Sequence, residues 1–372
     1  MCFVCPECCD PLSCIHLHQN MRIFPYSRCN LRPSFHKFFQ PTCTQQQQQW
    51  RIQELLQWRA QKLFSSTTND DNLRSKPKLL VILGATGAGK SRLSIDLSTR
   101  VFKNSEIINS DKMQLYNGLD ITTNKMTMQE RVGVPHHLLG VLDPTKPACT
   151  PSVYRKLGSD IISDIKTRGG LPIVVGGSNS LIYSLVTKRF DPDTDVFNGS
   201  DPDPVSLELR YDCCFIWVDV SLPVLNRYLA NRVDEMLDSG MFEELVEFFR
   251  SGEDKRVNRA GLGQAIGIPE FEGYFRDFNS VRRPSGGDPE TEVEVYNEAV
   301  KRIKDNTCHL AKKQVGKILR LRDAGWELKR IDATEAFRAV MAADSGGGRV
   351  AEVWEKEVLE PSVKIVKRFL DE

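Results

Sequence analysis

The run Gly84-Ala85-Thr86-Gly87-Ala88-Gly89-Lys90-Ser91 completes a G-x-x-x-x-G-K-S pattern, directly after an apolar stretch and before an amphipathic one. Glycines at these positions let backbone N–H groups converge on phosphate oxygens without Cβ obstruction, and a helix N-terminus behind them adds partial positive charge. Lys90 can bridge two phosphate groups, and the Ser91 hydroxyl suits Mg²⁺. The strand–loop–helix context separates this loop from a glycine-rich turn that binds nothing. A phosphate cradle alone does not name a reaction, because many unrelated chemistries use one.

A second chemically suggestive residue is Asp111, in Glu106-Ile-Ile-Asn-Ser-Asp111-Lys-Met-Gln114. It lies just past a second strand, where ligands of open α/β sheets are held. A carboxylate there could hold a metal ion, take a proton from a nucleophile, or cap the following turn, and position alone does not choose among these. His136 and His137 invite a metal reading, but neighbours on a strand point to opposite faces and do not readily share one ion, so structural or substrate-contact roles are expected.

These residues need a scaffold. Leu79–Leu83, Ile107–Ile108, Leu138–Leu142, Ile173–Val175 and Phe215–Val218 read as buried strands, with helices over Ser91–Phe102 and Val153–Arg168. The alternation predicts an α/β fold with a parallel sheet flanked by helices. Beyond Ser221 the apolar period becomes helical, over Pro223–Ser239, Glu243–Arg250 and Glu294–Ala324, which predicts a C-terminal helical subdomain. Ser280–Glu292, rich in Arg, Pro and Gly, reads as an exposed loop. The expected organisation is a leader and linker over 1–75, an α/β core over 76–220, a helical subdomain over 221–335 closing the site, and a C-terminal tail over 336–372 whose last helical stretch, from Val350, docks loosely.

The 372 residues carry 50 Lys+Arg against 49 Asp+Glu, so no general field draws nucleic acid or an anionic membrane, and any polyanion needs a local site. No apolar run reaches the ~18–20 residues of a spanning helix. Seven of the eleven cysteines fall in the first 43 residues, which argues against a disulfide framework for the fold and suits a reducing compartment. A metal knuckle from Cys2, Cys5 and Cys8 with His16 and His18 lacks a foldable unit between ligand pairs. Cys213 and Cys214 precede a buried strand and are expected to pack there. From Pro11 to Trp50 there are four basic residues and no acidic one, the bias of an organellar transit peptide, although Glu7 and Asp10 depart from it. A disordered extension with no address, leaving the protein in the cytosol, is the alternative. A short amphipathic helix is possible over Trp50–Phe64, followed by a polar linker.

Taken with Gly84–Ser91, the runs Ile107–Gln114, Gly118–Ile121 with Thr123–Lys125, Val134–Leu139, Gly176–Ser180, Arg210–Phe215, Arg232–Met236 and Ala265–Glu270 resemble the plant adenylate isopentenyltransferases, within the wider family of dimethylallyl transferases acting on adenine. The resemblance runs in family order from about Lys76 to Lys329 and implies a P-loop NTPase-like core.

It also implies an activity: transfer of a dimethylallyl group from dimethylallyl diphosphate to N6 of an adenine nucleotide, with release of diphosphate, in cytokinin synthesis. On that reading the phosphate loop, Gly84 to Ser91, holds the donor's diphosphate and does not hydrolyse ATP. Lys90, Thr86 and Arg232 would stabilise the leaving group, Mg²⁺ on Ser91 would assist, and Asp111 would be the general base. Ser178, Asn179 and Ser180 would line the donor side of the tunnel. The basic stretch from Lys301 to Lys317 is either a solvated helix face or the acceptor's phosphate site; Lys304, and less directly Lys255, are the candidates for the second role.

Relatives that prenylate tRNA share the loop and the aspartate. Against that acceptor stand the short connection from Tyr183 to Arg210, the balanced charge and the lack of Cys or His after His309. Small-molecule substrates, with no nucleic acid or membrane partner, are therefore expected. ATP or ADP is the expected acceptor and AMP a further possibility, while Asn258–Gln264 departs from the basic turn common in the family. A P-loop small-molecule kinase would explain the loop and sheet but none of the other motifs, and a catalytically silent nucleotide-binding paralogue would not need both Lys90 and Asp111.

Overall fold

The computed structural model describes residues 76–198, 205–278, 289–342 and 347–372. The expected leader, with the cysteines of the metal knuckle set aside above, the Trp50–Phe64 helix and most of the Ser280–Glu292 loop lie outside these residues. The elements in chain order are β1 (Lys78–Gly84), α1 (Lys90–Arg100), β2 (Ser105–Asn109), β3 (His136–His137), α2 (Pro151–Thr167), β4 (Leu171–Gly176), α3 (Asn179–Val186) and β5 (Asp212–Asp219). There follow α4 (Leu222–Asp238), α5 (Met241–Arg250), α6 (Ile268–Phe278), α7 (Pro289–Asp323), β6 (Leu328–Asp332), α8 (Thr334–Ala342), α9 (Gly347–Trp354), a π-helical turn over Glu355–Leu359 and α10 (Glu360–Asp371).

The six strands form one sheet in the order β3-β2-β4-β1-β5-β6. Every pairing is parallel, with Leu80 opposite Ile173 on one side of β1 and Cys214 on the other. Parallel strands need crossovers, and the crossover helices cover both faces, which is why β1 is apolar throughout. Leu79, Val81 and Leu83 face one core and Leu80 and Ile82 the other. Each such side chain, removed from water, contributes roughly 1.5–3 kcal/mol. Among the described residues no helix is long and apolar enough to cross a membrane.

Three expectations change. Leu138–Leu142 is not a strand. Leu138 takes a left-handed φ of 57° and Gly140 one of 67°, which no extended segment tolerates. The N–H groups of Gly140, Val141 and Leu142 instead meet the carbonyls of Gln114 and Leu115, so the segment braces the turn after Asp111. The sheet does not end at β5 either. β6 adds an edge strand in which Ile331 is the one fully buried side chain, too weak an apolar pattern to read as a strand. The C-terminal stretch, finally, is packed firmly. Val350, Trp354, Val358, Leu359 and Val366 are buried, and Trp354 Nε1 donates to Asp96 Oδ2 on α1 at 2.8 Å. Arg92 lies over the Trp354 ring at 4.4 Å.

Candidate active site

Because the strands are parallel, the loops after β1, β2 and β4 leave from the same edge of the sheet, and the order reversal around β1 opens a crevice there. The phosphate loop follows β1, Asp111 follows β2 and Ser178 follows β4. Backbone bonds tie these ends together: Ser110 N–H donates to Val175 O at 2.7 Å, and Ser178 N–H donates to Ser110 O at 3.1 Å. Ser178 Oγ accepts from Lys112 N–H at 2.9 Å, so Ser178 braces the Asp111 turn.

The turn itself is built by Asn109. Its Nδ2 donates to Leu138 O at 2.9 Å and Asp111 O at 3.2 Å, and its Oδ1 accepts from Asp111 N–H at 3.2 Å. Asp111 Oδ1 accepts from Met113 N–H at 3.1 Å. The aspartate therefore does cap a turn, as one reading of its position allows, with one carboxylate oxygen. The bond fixes the carboxylate plane and leaves the other oxygen for a second partner. Lys112 reaches from the same turn to Ala260 O and Gln264 Oε1 at 3.3 and 3.2 Å. That places the departing Asn258–Gln264 segment beside the crevice.

Lys90 opens α1, is 9% exposed, and folds its ammonium onto Ala85 O at 2.6 Å. Burial lowers its pKa to about 8; the Asp111 carboxylate opposes that shift and Arg232 adds to it. Arg232, on α4, donates through Nη2 to Thr86 Oγ1 at 3.2 Å, while its Nε is buried without a partner. Burial pulls its pKa down too, opposed by Tyr228 and Asp111. A buried lysine, a half-buried arginine, a threonine hydroxyl and a carboxylate thus face one another across the crevice. That arrangement can receive an anionic group next to a proton acceptor.

The other expected residues divide. Asn179 is buried and donates from Nδ2 to Gln314 O at 3.2 Å, while Ser180 is half-buried on the first turn of α3. Ser91 is exposed at the loop's end. Lys304 is joined to Asp234 at 2.6 Å; Asp234 is two residues along α4 from Arg232 and so on a different helix face, and the charge of Lys304 is already partnered. Lys255 is exposed on the short turn Glu253–Lys255, where nothing ties it to this cluster. His136 and His137 have separate partners, Val134 O at 2.8 Å and Glu106 Oε2 at 2.7 Å. Burial lowers His136 to about 4, which makes it a neutral structural residue. Although burial works against it, hydrogen bonds from Arg168 and His137 hold the Glu106 carboxyl below its usual range. Cys214 is buried on β5 and Cys213 half-buried beside it; burial pushes both thiols up, as packing residues would be.

Two residues of the site were not picked out from the sequence. Asn109 hides inside a short strand, with no signal beyond its place before Asp111. Gln314 accepts the Thr86 N–H on Oε1 at 2.6 Å. Its only signal is its place, with Thr307, as a polar member of the buried stripe running through Ile303, Ala311 and Ile318 on α7. An opening of about 1310 Å³ at the amino ends of β1 and β5, lined by Lys78, Tyr211 and Trp326, lies at the other end of the sheet from this chemistry.

The sequence matches the model of a family described as IPP transferase over residues 114–199 and 194–317. It is 55% identical over 299 residues to an adenylate isopentenyltransferase of Humulus lupulus, covering 78% of this chain and 90% of that one. It is 53% identical over 295 residues to the chloroplastic adenylate isopentenyltransferase 1 of Arabidopsis thaliana, covering 79% and 82%. Among solved structures, a eukaryotic dimethylallyltransferase acting on tRNA superposes with a TM-score of 0.62 at 25% identity, over 79% of this chain and 80% of that one. A tRNA isopentenylpyrophosphate transferase from Staphylococcus epidermidis shares the fold, with a TM-score of 0.60 at 22% identity over 79% and 100%. With a phosphate loop, a facing aspartate and a wall arginine gathered at one sheet edge, and with relatives this similar along most of its length, the chain belongs to the IPP transferase family.

Proposed function

We propose that the protein transfers the dimethylallyl group of dimethylallyl diphosphate to N6 of a free adenine nucleotide, releasing diphosphate and forming the isopentenyladenine nucleotides of cytokinin biosynthesis. The observation that carries this reading is the placement of Asp111 opposite Lys90 and Arg232, in a chain 55% identical to an adenylate isopentenyltransferase. The C1–O bond of the donor breaks with its electron pair going to diphosphate, and the N6 lone pair forms the new C1–N bond. N6 is a weak nucleophile because its lone pair is delocalised into the purine, so a base must take its proton as the bond forms. Asp111 is that base, through the oxygen not engaged by Met113.

Lys90, Arg232 and the Thr86 hydroxyl stabilise the leaving diphosphate, whose negative charge grows as C1 departs. The loop suits Mg²⁺, which is commonly held by one or two protein oxygens together with substrate phosphates: Ser91 offers an exposed hydroxyl at the loop's end. Bound there, Mg²⁺ would add charge stabilisation to the diphosphate. Ser178, Asn179 and Ser180 wall the donor side, and excluding water there protects an allylic cation from hydrolysis.

A free nucleotide suits the chain better than tRNA. Thr187 bridges to Leu209 and Lys188 N–H donates to Glu208 O, so the connection from α3 to β5 closes on itself. Among the described residues it holds no helix. ATP or ADP is the proposed acceptor, with Lys304 the candidate for its phosphates. Plastid targeting is proposed from the basic, acid-poor segment after Pro11, as several relatives are named chloroplastic. A fusion of residues 1–75 to a fluorescent protein that stayed cytosolic would overturn it.

The deciding experiment offers AMP, ADP, ATP and unmodified tRNA in parallel to the protein with labelled dimethylallyl diphosphate and Mg²⁺. Label on ATP or ADP, with diphosphate released, is the expected result. Label on tRNA alone would move the protein to the tRNA-acting branch, and release of a phosphorylated acceptor would indicate a kinase.

A further inference from the structure

Gln314 stands where an apolar residue would complete the buried stripe of α7, and it is 6% exposed. A carboxamide in that position is costly unless its polar atoms are bonded. Its Oε1 takes the Thr86 N–H at 2.6 Å, and its backbone carbonyl takes Asn179 Nδ2 at 3.2 Å. Its Nε2 occupies the space a side chain on Gly177 would need, so the glycine after β4 admits the amide. One side chain of the helical layer therefore grips the phosphate loop and rests on the neighbouring turn.

Thr86 is held at both its backbone and its side chain. Gln314 accepts from its N–H, and Arg232 Nη2 donates to its Oγ1. Since Oγ1 already accepts from an arginine, its own proton is free to donate into the crevice. We propose that Gln314 is a positioning residue: by fixing the Thr86 backbone it aims the Thr86 hydroxyl at an oxygen of the leaving diphosphate. Gln314 touches no substrate and acts through Thr86. The inference rests on the prenyl-transfer reading. The hydrogen bond from Thr86 strengthens as C1–O cleavage leaves charge on that oxygen, with no proton transferred. An aim lost by about 1 Å costs on the order of 10²-fold in rate.

The test compares Gln314→Ala, Gln314→Glu, Thr86→Ala and the double variant Thr86→Ala/Gln314→Ala in diphosphate release from dimethylallyl diphosphate with each adenine nucleotide. Gln314→Ala should lower kcat by roughly 30- to 100-fold with the KM for the nucleotide little changed. Gln314→Glu, which keeps an acceptor oxygen, should recover most of that loss. In the Thr86→Ala background, removing Gln314 should cost nothing further, because its effect passes through the missing hydroxyl. Losses that multiply in the double variant, or a Gln314→Ala enzyme with wild-type kcat, would overturn the proposal. Hydrogen exchange at the Thr86 amide reads the contact without turnover: faster in Gln314→Ala and unchanged in Gln314→Glu is expected, and no change in either removes the contact. A wild type that prenylates no nucleotide would instead sink the activity itself, leaving the exchange measurement to decide the contact.

Discussion

Arg232 donates to Thr86 Oγ1 at 3.2 Å, joining a helix of the C-terminal layer to the phosphate loop of the sheet across the crevice. Its Nε is buried with no acceptor, so part of its hydrogen-bonding capacity is directed at something the protein does not itself supply. On the proposed reaction, an oxygen of the diphosphate leaving group would meet that need. Arg232→Ala should lower kcat by about 10²–10³-fold, the usual loss on removing one donor from a developing anion. Arg232→Lys should restore little, since an ammonium lacks the planar fork that can serve Thr86 and an anion together. Near-normal turnover in Arg232→Ala, followed by diphosphate release, would take Arg232 out of leaving-group stabilisation.

Asp111 caps its turn through one oxygen and, on the proposed mechanism, takes the proton through the other, and the substitutions separate the two. Asp111→Asn retains an oxygen for the Met113 N–H and loses the basic carboxylate, so the turn should persist while kcat falls by about 10²–10⁴-fold. Asp111→Ala should lose the cap as well and melt at a lower temperature than Asp111→Asn. Calorimetry with dimethylallyl diphosphate should find donor binding nearly intact in Asp111→Asn. Lost donor binding in that variant, with the fold preserved, would contradict the base assignment.

Lys90 gives the donor site a pH signature. Burial lowers its pKa to about 8, so in the ligand-free protein the ammonium is charged below that pH and increasingly neutral above it. A bound diphosphate favours the charged form, so binding near pH 8.5 should draw a proton from solution, and donor affinity should weaken as pH rises through 8 toward 9. Calorimetry in buffers of different ionisation enthalpy measures the uptake. Zero uptake in the wild type, or uptake persisting in Lys90→Met, would assign the effect elsewhere.

The loop and the aspartate were legible because each is a local pattern: a spaced glycine motif between strand and helix, and a carboxylate at a strand's end. What joins them was not local: Arg232 was reached through the family resemblance alone and Gln314 not at all, since they arrive from helices 146 and 228 positions along the chain from Thr86. Nothing local distinguishes Gln314 from the lysines beside it except its place on the apolar stripe. β6 escaped because an edge strand buries one face over few residues, and Leu138–Leu142 misled because its apolar residues are bonded through their backbone to Gln114 and Leu115 without joining the ladder. The C-terminal helices looked detachable because their buried positions are interleaved with charges, and because Trp354 meets its partner Asp96 258 positions away.

That last contact gives a prediction about stability. Trp354 is 2% exposed; its ring stacks beneath Arg92 and its indole N–H meets Asp96, both on the helix that leaves the phosphate loop. Trp354→Ala removes a large buried side chain and should destabilise the protein by about 3–5 kcal/mol. Trp354→Phe keeps most of the packing but removes the indole hydrogen bond to the Asp96 carboxyl, whose pKa burial already raises and which keeps its ion pair with Arg92, and should cost about 1–3 kcal/mol. Urea unfolding of the full chain followed by far-UV circular dichroism measures both. Because α1 carries Lys90 at its first turn, the alanine variant should also weaken donor binding, an effect the phenylalanine variant should largely spare. A loss below about 1 kcal/mol in Trp354→Ala would mean that the C-terminal helices only rest on the sheet and that α1 holds the loop without them.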